Sequence, residues 1–236
     1  MVFDFDGTVA IGPGPVLAYA RHVERVLGAA RGFELRVAAE IVTAEERGAY
    51  PVSVLDGYDL VRQHALAAGA TDEQIELAYR ASRSQLGSGQ APVAVPRGIA
   101  ALLEELRGRV RVALVTNAPA TGLDGVLDAL GLGGGFHEVH ASAGKPAGLR
   151  ELAAAWLAEG RVLSIGDIWV NDLEPVHALG GDTALVGSPP DGATPTFAGQ
   201  NLPALYPDIR RWASSAPDHD LPSSHPATSN ETEPTR

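Results

Sequence analysis

The feature of this sequence that most constrains its fold is an alternation of short apolar runs with amphipathic segments. The runs at residues 2–5, 110–115, 162–165 and 183–186 predict buried strands, and residues 138–140 form a weaker candidate. Between them, residues 97–107, 121–130, 147–159 and 173–179 carry apolar side chains at helical spacing. Strands that alternate with helices indicate βαβ crossovers and therefore an α/β fold with a doubly wound parallel sheet.

One long block interrupts this alternation. Residues 14–90 contain four helical patterns, at 15–29, 35–47, 55–68 and 72–86, and no convincing strand. Thr71 and Gln74 have the spacing of a capping box at the start of the fourth helix. Stretches rich in glycine and proline border the block and are plausible hinges. The charged residues on these helices are interpreted as facing solvent.

The division of the chain follows from these patterns. We predict an α/β core formed by residues 1–13 and 95–213, and an inserted α-helical cap formed by residues 14–94. Residues 214–236 are almost devoid of apolar side chains, so they could not bury enough surface to offset the entropy of ordering. They are predicted to form a disordered tail.

Charge and composition exclude several classes of function. The chain has 236 residues and a formal net charge of −11, without a run rich in lysine or arginine, so we expect neither a nucleic-acid nor a membrane partner. It has no cysteine, which excludes disulfides and thiolate metal sites. Residues 1–25 lack the pattern of a signal peptide, and we expect a cytoplasmic protein. The sequence does not predict an oligomeric state.

Polar side chains follow the predicted strands at the points where each strand ends. Two carboxylates, Asp4 and Asp6, follow the first strand, and the other strand ends bring Thr116 and Asn117, Lys145, and Asp167 with Asp172. Because the carboxyl ends of parallel strands meet at one edge of the sheet, these groups should lie together. Two carboxylates beside a phosphate repel it unless a divalent cation lies between them. The pattern therefore predicts metal-assisted phosphoryl transfer.

Four short motifs carry a resemblance to a known family. They are Asp4-Phe5-Asp6-Gly7-Thr8, Val115-Thr116-Asn117, Lys145-Pro146, and Gly166-Asp167 together with Asn171-Asp172. In this order the chain resembles the haloacid dehalogenase superfamily of phosphohydrolases over roughly residues 1–186, and its phosphoglycolate phosphatase-like members in particular. The resemblance implies a Rossmann-like core with the family's first type of helical cap.

The resemblance also implies a role for each site residue. Asp4 is the candidate nucleophile, which would form an aspartyl-phosphate, and Asp6 is the candidate general acid and base. A Mg²⁺ ion would be held by Asp4, Asp167 and the backbone carbonyl of Asp6. Asp172 would be a further ligand, or would orient Lys145 or a metal-bound water. The remaining candidates bind phosphoryl oxygens and neutralise their charge: Thr116, Asn117 through a nearby backbone N–H, and Lys145.

These motifs bear on several possible activities. Hydrolysis of a small phosphorylated metabolite, such as phosphoglycolate or a sugar phosphate, is favoured by family analogy. A phosphomutase of the β-phosphoglucomutase type shares every motif residue, and a non-catalytic relative that binds a phosphorylated ligand is a further alternative. Displacement of halide is disfavoured because it does not need an acid at Asp6. A receiver domain is disfavoured because its phosphate-accepting aspartate follows a later strand and it carries no helical insertion.

Overall fold

The fold is built on a six-stranded, all-parallel sheet. The computed structural model describes residues 1–28, 32–47, 50–51 and 53–215, except for the side chains of residues 45–47. Its strands lie in the order β3-β2-β1-β4-β5-β6. Their bounds are Val2–Phe3 (β1), Ala113–Val115 (β2), Glu138–His140 (β3), Leu163–Gly166 (β4), Asp182–Val186 (β5) and Phe197–Gly199 (β6).

Helices connect the strands and cover both faces of the sheet, so the prediction of a doubly wound α/β fold is confirmed. Along the described residues they are α1 (Gly14–Leu27), α2 (Phe33–Arg47), α3 (Gly57–Ala67), α4 (Asp72–Arg83), α5 (Ile99–Arg107), α6 (Leu123–Ala129), α7 (Ala147–Glu159), α8 (Glu174–His177) and α9 (Leu202–Ser214). A π-helical turn at Trp169–Leu173 leads directly into α8.

The central strand shows how the two faces are filled. Side chains alternate along a strand, so Val2 and Phe3 of β1 face opposite sides of the sheet. Phe3 packs with buried residues of α5, α6 and α9, such as Leu102 and Ile209, in the larger cluster. Val2 packs on the other side with Leu149 of α7 and with residues of α8. Because helices occupy both faces, the carboxyl edge of the sheet is the place where polar groups from different strands meet.

Four helices form a second unit inserted between β1 and α5. They enclose a hydrophobic cluster of their own, which includes Val23, Phe33, Val61 and Ile75. The capping box predicted for α4 is confirmed: Thr71 Oγ1 accepts from Gln74 N at 3.2 Å, and Gln74 Oε1 accepts from Thr71 N at 2.9 Å. This cap is therefore a helical bundle, in agreement with the predicted fold class.

The segments that enter and leave the cap lie side by side. Ile11 N donates to Ala94 O at 2.9 Å, and Ala94 N donates to Ile11 O at 3.0 Å. These paired connections lie at the borders that the sequence analysis places at residues 13/14 and 94/95.

Some elements differ from the predictions. The first strand ends at Phe3, and the carbonyl of Phe5 accepts hydrogen bonds from Val9 N and Ala10 N at 2.9 and 2.7 Å, which turns the chain away from the sheet. Neither β6 nor α9 was predicted from the sequence. Of the predicted tail, Ser214 belongs to α9, and residues 216–236 lie outside the described part of the chain. Within the described ranges, no helix has both the length and the apolar character needed to cross a bilayer.

Candidate active site

The candidate site lies where the topology of the sheet changes direction. Strand β1 lies between β2 and β4, so the connections after β1 and after β3 run to opposite sides of it. In open α/β sheets such a switch point leaves a crevice at the carboxyl ends of the strands, where ligands bind. Asp4 follows β1, Thr116 follows β2 and Asp167 follows β4. A cavity of about 330 Å³ lies here between the core and the cap.

The structure brings most of the predicted residues to this cavity. Its lining includes six of the seven predicted residues: Asp4, Asp6, Thr116, Asn117, Lys145 and Asp172. The seventh, Asp167, is not part of this lining but has a carboxylate oxygen within 4.8 Å of carboxylate oxygens of Asp4 and Asp172. Residues separated by more than 160 positions in the sequence therefore form one group.

Lys145 joins two of the buried carboxylates. Its Nζ donates to Asp4 Oδ1 at 2.5 Å and to Asp172 Oδ1 at 2.6 Å, and its side chain is only 4% exposed. Burial alone would lower the pKa of Lys145, but the charges of Asp4 and Asp172 outweigh it and raise the pKa above its usual value. The ammonium group therefore stays charged beside the candidate nucleophile.

Two neighbours fix the position of this lysine. Asn117 holds the Lys145 backbone from both sides: Lys145 N donates to Asn117 Oδ1 at 2.6 Å, and Asn117 Nδ2 donates to Lys145 O at 3.2 Å. Asp172 is itself held, since its Oδ2 accepts from Ile168 N at 3.0 Å and its carbonyl accepts from the Ser164 hydroxyl at 2.6 Å. Both carboxylate oxygens of Asp172 are thus engaged, which favours the orienting role over direct metal ligation.

Thr116 is placed to bind an anion. It is 1% exposed at the end of β2, and its Oγ1 accepts a hydrogen bond from Ala118 N at 2.9 Å. A hydroxyl that accepts through a lone pair keeps its proton for a further bond. Thr116 can therefore donate to a phosphoryl oxygen in the cavity.

The group formed by Asp4, Asp167 and Asp172 fits a divalent cation. Asp4 Oδ2 is buried and has no hydrogen-bond partner in the described structure. Burial and the charge of Asp172 raise the pKa of Asp4 to about 7, against the opposing effect of Lys145. Burial and the charges of Asp4 and Asp172 likewise raise the pKa of Asp167 well above its usual value. Buried carboxylates that repel one another and offer hard oxygen atoms suit Mg²⁺ or a similar ion.

The Gly-Thr part of the first motif supports Asp167 directly. The Thr8 hydroxyl donates to Asp167 Oδ1 at 3.3 Å. Gly7 has a φ of +88°, and a Cβ atom at this position would lie 2.2 Å from Asp167 Oδ2. The motif therefore places its backbone against the carboxylate that follows β4, where only glycine fits.

Asp6 has partners that the sequence analysis missed. Its Oδ1 accepts from Arg83 Nη1 at 2.8 Å and from the Tyr58 hydroxyl at 3.1 Å, and both donors belong to the cap. Arg83 follows Ile75 and Tyr79 at intervals of four, so its place on the buried face of α4 was a signal that could have been used. The Asp6 side chain stands outside the group of three carboxylates, and a metal contact through its backbone carbonyl stays a prediction.

Three tyrosines form the cap side of the cavity. The rings of Tyr19, Tyr58 and Tyr79 pack on one another with centroid distances of 5.5–6.2 Å, and Tyr79 meets each of the other two edge to face. The same wall also carries three carboxylates and one guanidinium, those of Asp56, Asp59, Glu76 and Arg62. A cavity of this size and lining accommodates a small polar molecule.

The comparisons with known proteins agree with this geometry. The family model of haloacid dehalogenase-like hydrolases matches residues 1–180, about three quarters of the chain. A search of curated proteins gives no significant match.

Solved structures show the same fold at low sequence identity. A predicted phosphoglycolate phosphatase from Haemophilus somnus 129PT is 18% identical, with a TM-score of 0.59 and coverage of 89% of this chain and 96% of that one. The putative HAD-hydrolase YfnB from Bacillus subtilis, bound to magnesium, is 18% identical, with a TM-score of 0.58 and coverage of 88% and 96%. A putative β-phosphoglucomutase from Thermotoga maritima is 16% identical, with a TM-score of 0.51 and coverage of 89% and 97%.

Proposed function

The chain belongs to the haloacid dehalogenase-like hydrolases, and from that premise we propose that it is a Mg²⁺-dependent phosphatase of a small phosphorylated metabolite. The observation that carries the proposal is the buried contact of Lys145 Nζ with both Asp4 and Asp172, in the wall of a cavity that Asp6 and Thr116 also line. Asp4 is thus available as the nucleophile and Asp6 as the acid and base. Thr116 and Lys145 supply hydrogen-bond donors for a phosphate in the same cavity.

The reaction proceeds in two displacements. The Asp4 carboxylate attacks phosphorus, the bond to the ester oxygen breaks, and Asp6 donates a proton to the departing oxygen. The product of this step is an aspartyl-phosphate on Asp4 together with a free alcohol. Asp6, now a carboxylate, takes a proton from a water molecule that attacks the phosphorus, which releases inorganic phosphate and restores Asp4.

The surrounding residues hold the phosphoryl group during both displacements. Lys145 neutralises charge on Asp4 and on the phosphoryl oxygens, and Thr116 donates a hydrogen bond to one of those oxygens. The Asn117 side chain is occupied by the Lys145 backbone, so we assign the phosphate contact at this loop to a backbone N–H near Asn117.

Asp4, Asp167 and the backbone carbonyl of Asp6 would hold the metal ion. Mg²⁺ bound there would neutralise the carboxylates and polarise the phosphoryl oxygens. Asp172 orients Lys145 by accepting a hydrogen bond from its Nζ.

A phosphomutase of the same fold remains the second candidate, because one of the structural neighbours has that description and the site residues do not separate the two reactions. The fate of the phosphoryl group decides between them. A panel of phosphate monoesters, including phosphoglycolate and glucose 1-phosphate, is assayed with Mg²⁺ for inorganic phosphate and for an isomeric sugar phosphate. Release of inorganic phosphate supports the phosphatase, and formation of glucose 6-phosphate supports the mutase.

The direct test uses p-nitrophenyl phosphate with Mg²⁺. We expect turnover by the wild type, a loss of at least about 10³-fold in Asp4→Asn, and unchanged turnover in Asp191→Asn, which replaces an exposed carboxylate of a surface loop. Mass spectrometry of the acid-quenched reaction should find one added phosphoryl group on the peptide that contains Asp4. Full turnover by Asp4→Asn, or a wild type inactive on p-nitrophenyl phosphate and the whole panel, contradicts the proposal.

A further inference from the structure

A three-membered contact links the candidate acid and base to the cap. Arg83 Nη1 donates to Asp6 Oδ1 and to the Tyr58 hydroxyl, both at 2.8 Å, while the same hydroxyl lies 3.1 Å from Asp6 Oδ1. Arg83 is the last residue of α4 and Tyr58 is in the first turn of α3. Two cap helices therefore reach one oxygen atom of a residue in the loop that follows β1.

The burial of Arg83 sets it apart from an ordinary surface ion pair. Its side chain is 2% exposed, and the guanidinium carbon lies 6.0 Å from the centre of the Phe5 ring. Another arginine of α4, Arg80, is 73% exposed and pairs with Glu76 one turn away. A guanidinium is rarely buried without a paired charge, because its desolvation costs several kcal/mol. The buried guanidinium group of Arg83, which belongs to the cap, is therefore paired with the carboxylate of Asp6.

We propose that Arg83, assisted by Tyr58, is a positioning residue that fixes the carboxyl group of Asp6 for proton transfer to the leaving group. The inference rests on the proposed phosphatase function, in which Asp6 is the acid and base. The two cap donors hold Oδ1, so the orientation of the whole carboxyl group is set and the other oxygen carries the transferred proton. Proton transfer then depends on the cap lying against the core.

Neither donor competes with Asp6 for the proton. An arginine side chain has only N–H donors and keeps its charge in proteins. Burial and the charge of Asp6 raise the pKa of Tyr58 well above its usual value, so its hydroxyl stays a donor. Tyr79 lies beside Tyr58, and burial raises its pKa to about 12, so it stays neutral as well. Arg83 and Tyr58 therefore act on Asp6 as hydrogen-bond donors only.

A positioning role predicts a dependence on the leaving group. When p-nitrophenyl phosphate is cleaved, the nitrophenolate is a weak base and departs with little need of a proton. Phenyl phosphate has nearly the same shape, but its phenolate is a stronger base and needs the acid more. A variant that misplaces Asp6 should lose more kcat/KM on phenyl phosphate, whereas a variant that only lowers the fraction of folded protein should lose equally on both esters.

The experiment compares both esters for Arg83→Met, Arg83→Lys and Tyr58→Phe, with Arg80→Met as the matched control on the same helix. We expect Arg83→Met and Tyr58→Phe to lose at least about tenfold more kcat/KM on phenyl phosphate than on p-nitrophenyl phosphate, part of the range for general acid catalysis. Arg83→Lys, which keeps one cation, should recover part of the loss. Arg80→Met should match the wild type on both esters.

Asp6→Asn separates failure of the inference from failure of the proposed function. If Asp6→Asn shows the preferential loss on phenyl phosphate while Arg83→Met and Tyr58→Phe lose equally on both esters or on neither, the positioning role is overturned and the phosphatase stands. If the wild type hydrolyses neither ester, both fall. Should Arg83→Met fail to fold by thermal melting, Tyr58→Phe carries the test, since it removes a single hydroxyl.

Discussion

Gly7 stands where the backbone after Asp6 passes directly beside the Asp167 carboxylate. Its φ of +88° and the 2.2 Å that would separate a Cβ atom from Asp167 Oδ2 are two separate reasons for glycine at this position. Gly12 provides a matched comparison, because its φ of +108° is also in the left-handed region but a Cβ atom there would meet nothing within 4 Å. Comparing the same substitution at Gly7 and at Gly12 therefore distinguishes the effect of backbone strain from the effect of displacing the Asp167 carboxylate.

We expect Gly7→Ala to impair the carboxylate group and Gly12→Ala to impair only stability. Left-handed backbone strain should cost each variant roughly 1–2 kcal/mol of unfolding free energy, measured by urea denaturation. Gly7→Ala should also displace Asp167, so that its turnover of p-nitrophenyl phosphate needs a higher concentration of Mg²⁺. Equal Mg²⁺ requirements in the two variants would argue that Gly7 serves the turn alone.

At the scale of single residues, the sequence predicted which side chains lie together in the site, but not every contact that they make. The types and order of Asp4, Asp6, Lys145 and Asp167 were sufficient to predict one cluster at the strand ends. The contact of the Asn117 side chain with the Lys145 backbone was not predictable, since it joins two loops 28 residues apart. Such a contact depends on the exact path of both loops, which no local pattern records.

Among the elements, periodic patterns were predictive and irregular ones were not. The predicted helix at 147–159 has the same bounds as α7, and the predicted strand at 138–140 has those of β3. Helix α9 contains Pro207 in its interior, which weakens a helical pattern, yet Leu205, Ile209 and Trp212 bury one face against the core. Tertiary packing outweighs local propensity there, and a sequence pattern alone does not reveal it.

The carboxylate of Asp56, at the start of α3, affects the stability of the fold in a way that depends on pH. Asp56 is the N-cap of this helix, and its Oδ1 accepts from Asp59 N at 2.7 Å. Burial is the main cause that raises the pKa of Asp56, with the hydrogen bond from Asp59 N opposing it. A raised pKa in the folded state means that the protonated form is favoured by folding. This contribution to stability is fully present below the unfolded value of about 3.9 and is lost as the pH rises through the folded value.

We therefore expect Asp56→Asn to be more stable than the wild type at pH 7, by a margin that shrinks toward pH 4. Asparagine caps a helix about as well as aspartate but carries no charge to bury. Urea unfolding from pH 4 to pH 8 in EDTA measures the difference. Asp72→Asn, at an exposed first-turn carboxylate of α4, is the control and should show no such gain. A margin that does not change with pH would contradict the role of the buried charge.

On the scale of the whole molecule, the candidate site lies between two separately packed units. The core has hydrophobic clusters on both sides of the sheet, and the cap has its own. The cavity between them is lined by carboxylates and Lys145 on the core side, and by tyrosines and charged side chains on the cap side. The contact of Arg83 with Asp6 spans the gap, and sequence analysis could not place it, because the packing of the cap on the core is fixed by neither unit alone.

The clustered carboxylates of Asp4, Asp167 and Asp172 make the folded protein a better Mg²⁺ ligand than the unfolded chain, so Mg²⁺ should stabilise the whole molecule. At a concentration 100 times the dissociation constant, binding contributes about 2.7 kcal/mol, or roughly 5–10 °C in Tm for a chain of this size. Asp167→Asn should melt at a temperature that hardly responds to Mg²⁺, because it removes one carboxylate of the group. Asp191→Asn should respond like the wild type. Thermal melts in EDTA and in Mg²⁺ measure these shifts without any assay of activity. A wild type that does not respond, or an Asp167→Asn variant that responds as strongly, would show that Mg²⁺ does not bind at these carboxylates.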